Sequence, residues 1–185
     1  MLKHAGHLID ISTVPAEEIN QLVISQINQN GQAVIISRYE DTRWDLNPYI
    51  QTNNSPGNAI IFQIKLDDGS SLTDSQNSRL LESIKRFLYV RWKVKAPHSG
   101  KYISARTLLN NWSQLRTLIQ WMSKASLQSF SELSAQKCLD YVTYCNTEKN
   151  LMSSTLVINY QIITTYYDLN DHLVDKIAQS VLSGQ

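Results

Sequence analysis

Leu108, Trp112, Leu115, Ile119 and Met122 recur at steps of four, three, four and three residues. Side chains spaced in this way fall on one face of an α-helix, so the spacing predicts a helix from about Ser104 to Lys124 with a buried stripe. At 1.5 Å per residue such a helix is about 30 Å long. It can only be stable if its stripe is laid against other apolar surface. Two further runs can supply it. Ser134 can cap a helix carrying Cys138, Leu139, Tyr141, Val142 and Cys145. Ser153 or Ser154 can cap another, in which Leu156, Tyr160, Ile163 and Tyr167 again step by four, three and four. Asp171 onward predicts a short fourth helix through Val174, Ile177 and Val181. Residues 101–185 therefore read as an all-α four-helix bundle.

The front of the chain reads differently. Pro15, Glu17 and Glu18 suit a helix start, Ile19, Leu22, Val23 and Ile27 continue at helical spacing, and Asn30-Gly31 is a stop signal. Ala33–Ile36 is β-rich, Ala59–Leu66 reads as a second strand, and Asp67-Asp68-Gly69 ends it. Asp74 or Ser75 can cap a basic helix to about Val94, with Leu80, Leu81, Ile84, Phe87 and Leu88 on its apolar side. Lys95-Ala96-Pro97-His98-Ser99-Gly100-Lys101 breaks the pattern and marks a linker. The expected class is α+β: a small mixed α/β unit over residues 1–95, then the helical bundle.

Charge is segregated. Residues 1–78 hold four bases against nine acids, and residues 125–185 three against six. Residues 79–124 hold ten bases against one acid, Glu82, although the whole chain carries a net charge of only +1. A cationic middle of this kind suggests contact with a polyanion. On the Ser104–Lys124 helix, Arg106, Asn110, Ser113, Thr117, Gln120 and Lys124 share a face away from the apolar stripe, with a base at each end and no acid. Cations and hydroxyl or amide donors suit phosphates, while Asn, Gln and Arg read base edges. The alternative is a solvated helix surface, but such surfaces usually mix both signs. Lys93, Lys95, Lys101 and Arg106 can lie along a phosphate backbone; a plain exposed hinge is compatible with that.

Other chemistry lacks its parts. His4 and His7 are read as non-metal. Trp92, Trp112 and Trp121 can serve as stacking platforms for unpaired bases; core packing is favoured for Trp112, while Trp121, two positions off the apolar stripe, is open to either. Trp44 is expected to pack the front unit. The two cysteines, Cys138 and Cys145, are read as buried thiols on one helix face, too far apart for an intra-helix disulfide. There is no Gly-rich phosphate loop and no nucleophile elbow. No cofactor is expected. No apolar run is long enough to span a membrane, and nothing after Met1–His7 reads as a secretory signal, so a cytoplasmic location is expected.

Ile103-Ser104-Ala105-Arg106-Thr107-Leu108, then Trp112-Ser113-Gln114-Leu115-Arg116 and Ile119-Gln120-Trp121, resemble the opening helix of the core-binding domain of tyrosine recombinases, the phage-integrase family. Leu151–Leu156 followed by Ile162–Leu169 resembles that family's later segment, in which a small residue and Thr precede a helix ending in an aromatic pair. The resemblance covers about residues 101–170; the front 95 residues are similar, more loosely, to the front of bacterial mobile-element integrases. It implies a SAM-like domain that clamps duplex DNA, with the first and third helices toward the DNA. By position it points to Lys101, Ser104, Arg106, Asn110, Ser113 and Thr117, and to Ser153, Ser154, Thr155 and Asn159 from the third helix. Relatives often carry arginines in that third helix, whereas this chain has Asn159, Gln161, Thr164 and Thr165, so the DNA contact there is weaker or the helix faces protein. The family's strand cleavage resides in a later catalytic domain, and no His-x-x-Arg pair occurs in this chain. The resemblance therefore implies a non-enzymatic, DNA-binding front portion of a recombinase, with double-stranded DNA as partner and possible self-association on it. The competing expectation is a helical protein-interaction module whose basic face meets an acidic partner.

Overall fold

Ser104 sits in extended backbone just before the first apolar-periodic residue, and its hydroxyl accepts the Thr107 amide, satisfying one of the donors a helix leaves open at its start. In the structure, a computed structural model describing residues 14–50, 56–97 and 99–178, this cap opens α3 (Ala105–Lys124). All five members of the predicted stripe are buried. Ser134 caps α4 (Ala135–Thr147) in the same way, through the Lys137 amide. The third helix of this region, α5 (Ser153–Tyr167), starts differently. Met152 occupies its cap position and no side chain caps it; Ser153 is already helical, so neither Ser153 nor Ser154 serves. The entry point is set instead by Leu151, which packs against the core and donates its amide to the Cys145 carbonyl at 3.0 Å.

Among the described residues no fourth helix follows, and Val181 of the expected one lies outside them. After a single 3-10 turn, Asn170–His172, the chain runs irregularly as far as it is described. Tertiary bonds account for this. The Asn170 amide group grips Ile177 on both sides, accepting its N–H at 3.0 Å and donating to its carbonyl at 2.7 Å. Tyr166 donates to the Asp175 carbonyl at 2.8 Å, and the Asp175 carboxylate accepts from the hydroxyls of Ser83 and Ser129. With Leu173 and Ile177 buried, these contacts outweigh a weak local helical preference. The fourth long helix is α2 (Ser78–Lys93), which comes before the basic connector. It starts later than the sequence predicts: residues 75–77 form a 3-10 turn, and the Asp74 carboxylate accepts the Ser71 amide rather than capping the helix. Phe87 of α2 stacks on Tyr166 of α5 (5.1 Å between centroids), which stacks on Phe130 at 4.2 Å.

The front of the chain departs furthest from expectation. The helix opened at Pro15 lasts one turn, α1 (Ala16–Ile19), before β1 (Val23–Gln29) and β2 (Gln32–Arg38) form an antiparallel hairpin. Asn30 and Gly31 are therefore the two-residue turn and not a helix stop. Both have positive φ, 52° and 83°, which is the geometry that suits a twisted hairpin and that Asn-Gly adopts at least cost. A second two-stranded ladder joins β3 (Arg43–Asp45) to β4 (Ala59–Ile61), shorter than the strand expected to reach Leu66. Trp44 is fully buried there, edge-on to Phe62 at 5.0 Å.

The core continues across the connector. Phe62 meets Trp112 edge-on at 5.3 Å, and the Tyr144 hydroxyl donates to the Asp67 carboxylate at 2.9 Å. The connector is a closed turn: Ala96 donates to the Lys101 carbonyl at 2.9 Å, Gly100 donates back to the Ala96 carbonyl at 2.8 Å, and Gly100 takes the left-handed φ of 62° that the reversal requires.

Candidate nucleic-acid interface

The fate of the ten bases in residues 79–124 decides what the cationic middle can do. Three are matched by acids: Arg79 by Glu132 at 3.6 Å, Arg86 by Glu82 at 2.7 Å, and Lys124 by Glu148. Lys85 is buried, and its ammonium donates to the carbonyls of Tyr39 and Glu40, each at 2.9 Å. Its desolvation pushes its pKa down. Arg91 donates to the Asn111 side chain at 3.3 Å, and burial likewise lowers its pKa. Lys93 folds over Trp92, with its ammonium 5.0 Å from the ring centroid, and over Tyr89 at 6.0 Å. It is half-buried, and desolvation lowers its pKa too.

Four bases remain: Lys95, Lys101, Arg106 and Arg116. All are exposed, and none has an acid within 4.0 Å among the described residues. They lie on the closed turn and on α3. Of the cations singled out from the sequence, Lys101 and Arg106 have neither an acid nor a ring contact among the described residues, and Lys95, though exposed and without an acid, lies over the Tyr102 ring at 5.9 Å. Lys93 is spent on aromatic rings, and Lys124 is paired with Glu148 while also lying over the Tyr144 ring at 5.7 Å. Arg116 sits off the row that starts at Arg106, which is why periodicity alone passed it over.

The predicted polar face of α3 points outward. Arg106, Asn110 and Ser113 are exposed, and Thr117 and Gln120 half-buried. The side chains of Arg106, Asn110, Ser113 and Thr117 make no hydrogen bond among the described residues, so their donors and acceptors are open to a ligand. Ser104 is exposed as well, but its hydroxyl is engaged by the Thr107 amide at 3.1 Å and the Thr107 hydroxyl at 2.9 Å. An α-helix fits the major groove of duplex DNA, and this face offers both cations and base-reading amides along its length.

The α5 residues divide. Ser154 is exposed and Thr155 half-buried, but Asn159 is only 7 % exposed and belongs to the packed interior. The Thr164 and Thr165 hydroxyls both turn back to the Gln161 carbonyl. Beside the exposed Ser153, Ser154 and Gln161, α5 and its start present apolar side chains to solvent: Met152, Val157 and Ile158.

Other reactive groups are withdrawn. Trp92, Trp112 and Trp121 are buried, Trp121 against Tyr141 at 5.3 Å, and cannot stack on bases. Cys138 and Cys145 are buried free thiols; burial pushes Cys138 up to about 11 and raises Cys145 as well. Burial also raises the phenols of Tyr39, Tyr141 and Tyr166. Among the described residues no three His, Cys, Asp or Glu side chains gather as metal ligands, and no helix is long and apolar enough to cross a membrane. His4, His7 and His98 lie outside the described residues. Compared with family models, curated proteins and solved structures, the chain matches none.

Proposed function

We propose that this chain is the DNA-binding front portion of a site-specific recombinase of the tyrosine type, acting in the cytoplasm and holding duplex DNA for a catalytic domain that these residues do not include. One observation carries the reading. Six of the ten clustered bases are engaged by acids, backbone, amide or ring groups of the protein, and the four exposed bases with no acid within 4.0 Å among the described residues all fall on one connector turn and the helix that follows it, beside unengaged Asn110, Ser113 and Thr117. Lys101 and Arg106 would grip phosphates, and Asn110 would read base edges. Ser154, at the uncapped start of α5, would add a hydroxyl beside open backbone N–H groups, a favourable place for a phosphate.

Fluorescence anisotropy with labelled duplexes at low ionic strength tests this. The joint change Lys101→Ala and Arg106→Ala weakens binding on every sequence, whereas Asn110→Ala redistributes preference among sequences. Absence of duplex binding at low salt would remove the proposal's basis. A second reading, a helical module whose basic face meets an acidic protein, draws on the exposed apolar side chains of α5. Under it, poly-glutamate competes with duplex DNA at equal charge; under the first, it does not.

A further inference from the structure

Arg91, Asn111 and Gln114 form a polar relay from α2 into α3. The Arg91 Nε donates to the Asn111 Oδ1 at 3.3 Å, and the Asn111 Nδ2 donates to the Gln114 Oε1 at 3.1 Å. Asn111 is buried, while Arg91 and Gln114 are half-buried. The first member forces the order of the rest. A guanidinium carries only donors, so Asn111 must turn its oxygen to Arg91 and its NH2 group to Gln114. Gln114 must answer with its oxygen. Its own NH2 group then faces away from the relay. It makes no hydrogen bond among the described residues and is not enclosed by protein.

Gln114 follows Asn110 by four residues and precedes Thr117 by three, so its side chain adjoins both on the helix surface. Those two belong to the outward row whose donors and acceptors are open. Drawing a guanidinium partly out of water to hold a neutral amide costs free energy that an apolar contact at the same place does not. What the relay achieves is orientation. A glutamine at liberty can turn either end of its amide outward, and so can donate or accept. This one is held with its donor outward.

We infer that Gln114 is a specificity-determining residue of the DNA site, donating to an acceptor edge in the major groove, with Arg91 and Asn111 as positioning residues behind it. The inference rests on the DNA-binding reading and refines it. In the major groove guanine shows two acceptors, O6 and N7, where cytosine shows the N4 donor. A glutamine held donor-outward favours guanine over cytosine at the position it faces. One neutral hydrogen bond gives a preference of about 2- to 10-fold.

Selection from randomised duplexes with the full chain, followed by anisotropy on the selected duplex and its single-pair variants, tests this. The wild type prefers guanine to cytosine at one pair. Gln114→Ala levels the preference at that pair and leaves the others in place. Asn111→Asp replaces the relay's middle donor with a second acceptor. Gln114 then turns its NH2 group inward and its oxygen outward, and the preference at that pair moves to cytosine, although residue 111 is buried. The turn is also visible without DNA: side-chain amide hydrogen exchange at Gln114 slows in Asn111→Asp, whose fold circular dichroism verifies. Gln114→Glu, a change at the surface that keeps the inward acceptor and loses the outward donor, moves the preference in the same direction. Identical preferences for Gln114→Ala and the wild type overturn the inference and leave the DNA reading standing. Gln114 amide protons that exchange at the wild-type rate in folded Asn111→Asp overturn it as well. A wild-type chain that binds no duplex at low salt overturns both.

Discussion

The salt dependence of DNA binding separates the charge visible in the sequence from the charge the fold leaves usable. Each phosphate neutralised by a protein cation releases condensed counterions, so log K falls against log salt with a slope of about −0.9 per contact. If all ten bases of residues 79–124 reached phosphate, the slope would be about −9. The structure leaves four exposed and unmatched, Lys95, Lys101, Arg106 and Arg116, and the expected slope drops to about −3.6. Between roughly 50 and 200 mM salt that is a loss of about 150-fold in affinity, against more than 10⁵-fold for ten contacts. The paired change Lys101→Ala and Arg106→Ala halves the slope to about −1.8. Anisotropy titrations of one duplex at five or more salt concentrations measure each slope directly. A wild-type slope near −9 would mean that the intramolecular ion pairs and the buried bases open on DNA. A slope that the double variant leaves unchanged would mean that the α3 face does not touch the backbone. Either result refutes the reasoning.

Two further outcomes follow from the packing. Burial raises the Cys138 thiol from 9.0 to about 11. The unfolded chain then loses this proton first, so the thiol's contribution to folding is full below about pH 9 and is lost as pH rises toward 11; urea midpoints across that window fall less steeply for Cys138→Ala than for the wild type. Asn170→Ala removes both bonds that hold Ile177. It costs about 1–3 kcal/mol in urea unfolding, because the Ile177 amide and carbonyl lose their partners, and amide exchange at Ile177 rises while exchange within α3 does not.

Where the sequence was legible, several local signals agreed. For α3 and α4, helical spacing and a serine cap point to the same boundary, and each serine takes the amide three residues on. The front hairpin departs from the helix that its spacing predicts because its signals serve two structures. Ile19, Leu22, Val23 and Ile27 fit a helical stripe, and Asn-Gly ends helices as readily as it turns hairpins. The density of β-branched residues at Val23, Ile24 and Ile27, matched by Val34, Ile35 and Ile36, favours the hairpin. The missing last helix is a case of distant partners: Ser83, which helps hold Asp175, lies 92 residues away. Distance along the chain also hid the candidate interface's true charge. Lys124 meets Glu148 across 24 residues, and Arg79 meets Glu132 from a different element. Counting bases along a segment cannot reveal such neutralisation.

Because the 96–101 loop closes on its own backbone, it acts as a small ruler. The backbone interval between Lys95 and Lys101 is set by two peptide hydrogen bonds and one left-handed glycine, between Val94 and Ile103, which anchor the loop's two ends on the core. Repacking on either side can shift where this cationic pair points, while the span of backbone between the two lysines is inherited intact.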